Sequence, residues 1–316
     1  MTLAQTVNWT RFRVVWAAFA LIAAIILLMP LPALATDPQT FATPEEAAKA
    51  LLDAAASTDM NAIWAVLGDG FRDQIENPDH AQESENRRRI VEGAKEALQL
   101  RADDENTRVM VIGKAAWPMP IPIVKDDKGW HFDVGAGADE ILARRIGANE
   151  LATISNLRAY VDAQVQYASE DRDDDGVLEY AQKVNSTPGK KDGLYWEVPA
   201  GSTDEASPFG PFLAEKAAYF SDREAGDPFM GYYYRIVTRQ GENAPGGRYD
   251  YVINGNMIAG FAMVAWPADY ANSGVMTFIV NQNGKVYQKD LGEKTEVGAA
   301  AIQDYDPDSS WTEVKD

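Results

Sequence analysis

The sequence predicts an α+β protein in which helices give way to antiparallel strands twice over. Between Thr43 and Leu100 apolar residues recur three and four apart; from Thr107 the period changes to alternation. The same succession returns in the second half. A long helical stretch ending near Ala168 is followed, after a connection, by alternating segments from Gly231 onward.

The elements follow in order. In "TPEEAAKALLDAAAS", Thr43 suits the N-cap, Pro44 the first helical position, and Glu46 completes a capping box. "DMNAIWAVLG" is expected as a second short helix stopped by Gly68. A third helical stretch, Gln82 to Leu100, is polar over most of its surface. "TRVMVIGKAAW" and "GWHFDVG" alternate as strands do, with "KDDKG" between Val124 and Trp130 as a hairpin turn. "WPMPIP", Trp117 to Pro122, reads as an extended edge segment that proline guards against further pairing.

Asp139 is expected to cap "EILARRI", and Gly147 to interrupt it. The clearest helix is "ANELATISNLRAYVDAQVQYASE", with an apolar stripe of Leu151, Ile154, Leu157, Tyr160, Val161, Val165 and Ala168. A glycine- and proline-rich connection runs from Asn185 to Pro211. "GYYYRIVTRQ", "RYDYVING", "AGFAMVAWP" and "GVMTFIVNQNGKVYQKDLG" read as strands, "NQNG" as a tight turn, and the residues from Asp304 as an acidic tail.

The N-terminus reads as an export leader. Arg11 and Arg13 precede an uninterrupted apolar run from Val14 to Met29, and Ala33 and Ala35 occupy the small-residue positions that a signal peptidase reads. Residues 1–35 are thus expected to be removed, leaving Thr36 first. A module over residues 36–138 and a second over 139–316 should meet near "GAGA". The expected location is the periplasm or envelope of a bacterium, with membrane contact only through an uncut leader.

The chain has 48 acidic and 29 basic residues, for a formal charge of −19. Loss of the leader, whose charged residues are Arg11 and Arg13, makes it more negative still. Such a chain repels phosphate backbones, which argues against nucleic acid as a partner. Its 46% hydrophobic content is that of a folded protein. With no cysteine it has no disulfide, thiol nucleophile, thiolate metal site or lipidated cysteine.

"EDRDDDGVLEY" is the most pointed local signal. An EF-type calcium loop places oxygen ligands at positions 1, 3 and 5, glycine at 6, a carbonyl at 7 and a bidentate acid at 12. Asp171, Asp173 and Asp175 fill the first three, Gly176 the sixth, and the Val177 carbonyl the seventh. Glu179 stands at position 9 and the neutral Gln182 at 12, so the site residues expected for calcium are Asp171, Asp173, Asp175, Val177, Glu179 and Gln182. The competing reading is a solvated acidic turn.

No enzyme signature appears. There is no G-x-S-x-G elbow and no H-E-x-x-H, and the two histidines, His80 and His131, are far apart in sequence. His80 falls in a polar stretch; His131 alternates with Trp130 and Phe132 and so shares a face with Asp133. No catalytic residue is assigned. The function expected is non-catalytic binding or structural support in the envelope, with an envelope protein or a small ligand as partner. The alternative is a hydrolase using carboxylates in an N-terminal pocket.

The stretches "LRAYVDAQVQYASEDRDDDGVLEYAQKVNSTPGKKDGLYWE", "SPFGPFLAE", "PFMGYYYRIVTRQG" and "GVMTFIVNQNGKVYQKDLG" resemble domain-of-unknown-function family 2950, exported bacterial proteins with no established activity. The resemblance runs from about Phe41 to about Trp311. The first half also resembles nuclear-transport-factor-2-like or cystatin-like domains, implying helices on a curved sheet, often with a pocket. The second half is similar in layout to pilin heads, implying a long helix that leads through a loop into a small antiparallel sheet.

Overall fold

The computed structural model describes residues 35–315, apart from positions 58, 173, 174, 200, 215, 217, 218, 220–222 and 225. The expected leader therefore lies outside the described residues, except for its last position. Among the described residues no helix is long and apolar enough to cross a membrane.

The first helices form where their caps dictate. In α1 (Pro44–Ala56), Thr43 Oγ1 accepts the Glu46 amide at 3.2 Å, and Glu46 reaches back to the Ala42 amide at 3.1 Å. Asp59 caps α2 (Met60–Leu67), which Gly68 ends at φ 76°. A single turn, α3 (Arg72–Ile75), leads to α4 (His80–Glu96), capped by Asp79. Five strands follow: β1 (Leu98–Ala102), β2 (Thr107–Ile112), β3 (Trp117–Pro118), β4 (Ile123–Asp126) and β5 (Gly129–Phe132). They form an antiparallel sheet in the order β1-β2-β4-β5, with β3 also on β2. Ile63, Trp64 and Leu67 of α2 pack with Met110, Ile123 and Phe132 of the sheet in one apolar cluster.

The third helix is shorter than its pattern suggested. "LQLRA" leaves the helix and pairs along β2, from Leu98 opposite Ile112 to Ala102 opposite Arg108. Cross-strand pairing outweighs helical propensity over those five residues.

The second half begins with α5 (Val134–Tyr167), a single helix of 34 residues. Asp133, not Asp139, caps it, accepting the Ala136 amide at 3.0 Å. Gly147 does not break it. The "GAGA" stretch lies inside the helix, and Gly137 approaches the backbone of Pro120 and Ile121 too closely for a side chain, so glycine there serves packing. The junction expected between residues 138 and 139 falls within this helix.

A second sheet packs against α5. Its strands are β6 (Tyr232–Val237), β11 (Ala262–Pro267), β12 (Met276–Asn281), β13 (Tyr287–Asp290) and β14 (Thr312–Glu313), in the order β14-β13-β12-β11-β6 and all antiparallel. Two small ribbons, β7 (Arg239–Gln240) with β8 (Tyr249–Asp250) and β9 (Val252–Ile253) with β10 (Asn256–Met257), lie between β6 and β11 in the chain. Short helices α6 (Gly210–Ala214) and α7 (Thr295–Ala301) complete the elements among the described residues. Alternation along β6 puts Tyr234 against α5, where it meets Asn156, and Arg235 against the end of α7, where it donates to Ala299 and Ile302. The two helices thus cover opposite faces of the sheet.

The apolar stripe and the C-terminal residues also differ from expectation. Leu151 and Val165 of the expected stripe are 71% and 59% exposed. The buried face instead carries Asn149, Thr153, Asn156, Leu157, Tyr160, Ala163, Gln164 and Tyr167. Its polar members are acceptable inside because each is bonded: Gln164, for example, donates to the Ala181 carbonyl and accepts the Ala181 amide, both at 2.8 Å. The residues from Asp304 are not a free tail. Tyr305 is 2% exposed in a second apolar core, formed by α5 and the second sheet, and β14 closes the sheet edge on β13.

Candidate binding site

A cleft of about 820 Å³ opens beside β6. One wall is α5, through Asn156 and Tyr160; the floor is Tyr232, Tyr233 and Tyr234 of β6 with Met263 of β11; the far wall comes from Tyr195, Phe209, Leu213 and Phe229. The volume lies within the range of small-molecule sites, roughly 300–1,000 Å³, and an aromatic lining with a few polar groups is their usual chemistry.

The rings are fixed rather than loose. Phe209 lies 4.8 Å from Phe212, Phe212 lies 6.2 Å from Phe229, and Phe229 lies 6.0 Å from Tyr234, centroid to centroid. Tyr234 Oη accepts Asn156 Nδ2 at 2.8 Å and lies 3.2 Å from Thr153 Oγ1, which ties the floor to α5. Burial pushes the Tyr234 hydroxyl up to about 12, with those two hydrogen bonds opposing it. The hydroxyl is therefore neutral at ordinary pH. Burial also raises Tyr160, so Tyr234 and Tyr160 act as hydrogen-bonding groups and not bases.

The far wall is anchored across the molecule. Phe229 packs edge-on to Tyr219 at 5.4 Å, and Tyr219 Oη donates to Asp79 Oδ2 at 2.7 Å. Arg223 donates to the carbonyls of Asp227 and Pro228, fixing the turn that leads to Phe229. These residues were not singled out from the sequence. The available signal was density: Phe209, Phe212, Phe229 and Tyr232 to Tyr234 gather six rings in a glycine- and proline-rich stretch.

The acidic loop lies elsewhere, against the β9–β10 ribbon. Asp171 Oδ2 accepts the Gly176 amide at 2.8 Å, and Gly176 has φ 86°. Asp175 accepts the Val177 amide at 2.8 Å and Asn256 Nδ2 at 2.7 Å. Glu179 Oε2 accepts the Met257 amide at 2.9 Å, and Gln182 Nε2 donates to the Gly255 carbonyl at 2.6 Å. Asp173 lies outside the described residues. Carboxylate oxygens suit calcium in kind, but at position 9 Glu179 Oε2 is engaged by the ribbon, and at position 12 Gln182 meets the ribbon through its nitrogen. Among the described residues, no three His, Asp or Glu side chains gather in a metal-holding group. "VLEYAQKV" after the loop is not helical: Tyr180 bridges to Met257.

The histidines stand apart. His80 is the exposed first residue of α4, and His131 on β5 places Nδ1 4.0 Å from Asp126.

No curated protein and no solved structure matches the chain. These comparisons give no support to the resemblance of its halves to pilin heads and to nuclear-transport-factor-2-like or cystatin-like domains. The model of the family described as Protein of unknown function (DUF2950) matches residues 38–314, both sheets and the cleft included, and the chain belongs to that family.

Proposed function

We propose that this is an exported, non-catalytic binding protein of the bacterial envelope whose ligand enters the aromatic cleft beside β6. The lining carries this reading: six of the residues around the cleft are tyrosine or phenylalanine on the floor and far wall, while Asp227 is the single carboxylate among the described residues that line it. Two-carboxylate hydrolysis needs a second acid across the bond to be cut; among the described residues of the lining neither a second carboxylate nor a histidine accompanies Asp227. Export is supported by Arg11, Arg13, the apolar run and Ala33-x-Ala35. N-terminal sequencing of protein recovered from the envelope should begin at Thr36; an intact Met1 would overturn cleavage.

The cleft is tested with 8-anilinonaphthalene-1-sulfonate, a dye that brightens in apolar sites. It is expected to bind saturably at one site, and Ala214→Trp, which places an indole in the cleft from α6, is expected to abolish binding without lowering the melting temperature. Unchanged dye binding by Ala214→Trp would place the apolar site elsewhere.

A second reading, calcium at the acidic loop, is favoured by one observation: the bend at Gly176 folds its amide onto Asp171, as an inward-turned loop of this type requires. It requires Glu179 to exchange the Met257 amide for the ion.

A further inference from the structure

We propose that the cleft takes an extended peptide, which adds a strand to the free edge of β6. The proposal rests on the binding reading above and specifies the ligand class.

β6 is the last strand of its sheet, with β11 on one side only. In an antiparallel pair the N–H and C=O groups of alternate residues point to the partner and those of the others point away. The outward set in β6 is fixed by its neighbours. Tyr232 exchanges both backbone hydrogen bonds with Phe229, at 2.7 and 3.2 Å, and Thr238 gives its carbonyl to the Tyr251 amide at 2.7 Å. Tyr232, Thr238 and hence Tyr234 and Ile236 all face away from β11. Opposite Tyr232 stands Pro267, which has no amide hydrogen to give. Among the described residues, the outward N–H and C=O of Tyr234 and Ile236 have no hydrogen-bond partner.

The edge is thus filled at both ends and open across two outward residues, and Tyr234 lies on the cleft floor. Both residues are half-buried. Backbone groups in such a position need a partner, and a peptide strand offers N–H and C=O at the matching repeat. Two outward residues pair with about two residues of a partner strand, so a segment of about four to six residues spans the opening. Side chains on one face of that strand would meet the rings of Phe229 and Tyr195. The formal charge of −19 favours a basic segment over an acidic one.

The test uses the hexapeptide acetyl-Lys-Val-Lys-Ile-Lys-Val-amide and two isomers. One is N-methylated at its three lysines, the other at its three aliphatic residues. In a strand each isomer blocks one edge only, so one isomer is expected to bind like the parent and the other to weaken at least about tenfold, the scale of a few lost backbone hydrogen bonds. On the protein, Ile236→Pro removes one outward donor at an edge position that tolerates proline, and is expected to weaken the parent peptide by about tenfold while the dye still binds. Equal binding by both isomers, loss with both, or full peptide affinity in a folded Ile236→Pro protein overturns strand addition. Dye binding without peptide binding overturns it too and leaves the cleft reading intact. Failure of both dye and peptide removes both readings.

Discussion

Asp79 and Tyr219 stand 140 positions apart in the chain, yet the tyrosine hydroxyl lies 2.7 Å from the aspartate Oδ2. The same oxygen accepts the Gly231 amide at 2.8 Å, while Oδ1 caps α4 through the Gln82 amide at 2.9 Å. Asp79 is fully buried. One carboxylate therefore fixes the start of a helix in the first half, the turn before β6, and the ring that backs Phe229 in the cleft. Around it Gln82 donates to Asn149, Asn149 to the Ser273 carbonyl, and Arg145 to Ile75, Glu76 and Asn272.

Asp79→Ala strands three donors in the interior, and is expected to cost about 3 kcal/mol in urea unfolding. Tyr219→Phe removes one of those bonds and is expected to cost about 1–2 kcal/mol. In a double-mutant cycle the two should couple by about 1 kcal/mol or more. Strict additivity would show that the pair contributes nothing as a pair.

Glu83, one turn along α4, responds to pH. Burial pushes its carboxyl above the ordinary 4.5, with Arg145 and Arg87 pulling it back. The folded chain therefore holds this proton more tightly than the unfolded chain does. Its contribution to stability is fully present below pH 4.5 and is lost as the pH rises through the folded value. Glu83→Gln cannot ionise, so it should be more stable than the parent at pH 7, with the difference closing toward pH 4. A glutamine variant less stable at pH 7 would mean that attraction to Arg145 outweighs burial.

The sequence was most legible where local chemistry decides the outcome. Thr43, Pro44 and Glu46 start α1, Gly68 stops α2, "KDDKG" joins β4 to β5, and "NQNG" turns with Gly284 at φ 74°. It was least legible where distant segments decide. The inward face of α5 is polar at Asn149, Thr153, Asn156 and Gln164, and no periodicity rule selects those residues over Leu151 and Val165 without knowing Ser273, Tyr234 and Ala181 as their partners. The cleft was hidden for the same reason. Its walls come from α5, β6, β11 and the 184–229 connection, and their convergence is a tertiary fact.

The C-terminal residues provide a direct check on tertiary control. Composition alone marks Asp304 to Asp316 as an acidic tail, but Tyr305 lies in the second core and exchanges backbone bonds with Arg239 and Gly241 at 3.0 Å each. Asp304 meets both Arg239 and Arg248. Tyr305→Ala is expected to destabilise the protein by about 3–5 kcal/mol, the scale of a large aromatic removed from a core. Truncation after Gln303 should cost at least as much, since it also uncovers β13. A truncated chain as stable as the full one would return these residues to the status of a tail.

The acidic loop gives the last prediction. As it stands, Glu179 pins the loop to the β9–β10 ribbon through the Met257 amide, a hydrogen bond to a charged group and so on the order of 1.5–3 kcal/mol. In chelator, Glu179→Ala should lower stability by about that amount. Calcium adds a separable effect. With glutamine at position 12 its affinity is expected to be weak, on the order of 10⁻⁴–10⁻³ M. At tenfold above that constant, linkage stabilises the folded chain by about 1.4 kcal/mol. Unfolding curves in calcium and in chelator should then differ by this amount. Asp171→Ala, whatever its own cost, should make the two curves coincide. Parent curves that already coincide would reduce the loop to an acidic turn, held by Gly176 on Asp171 and by Met257 on Glu179 without an ion.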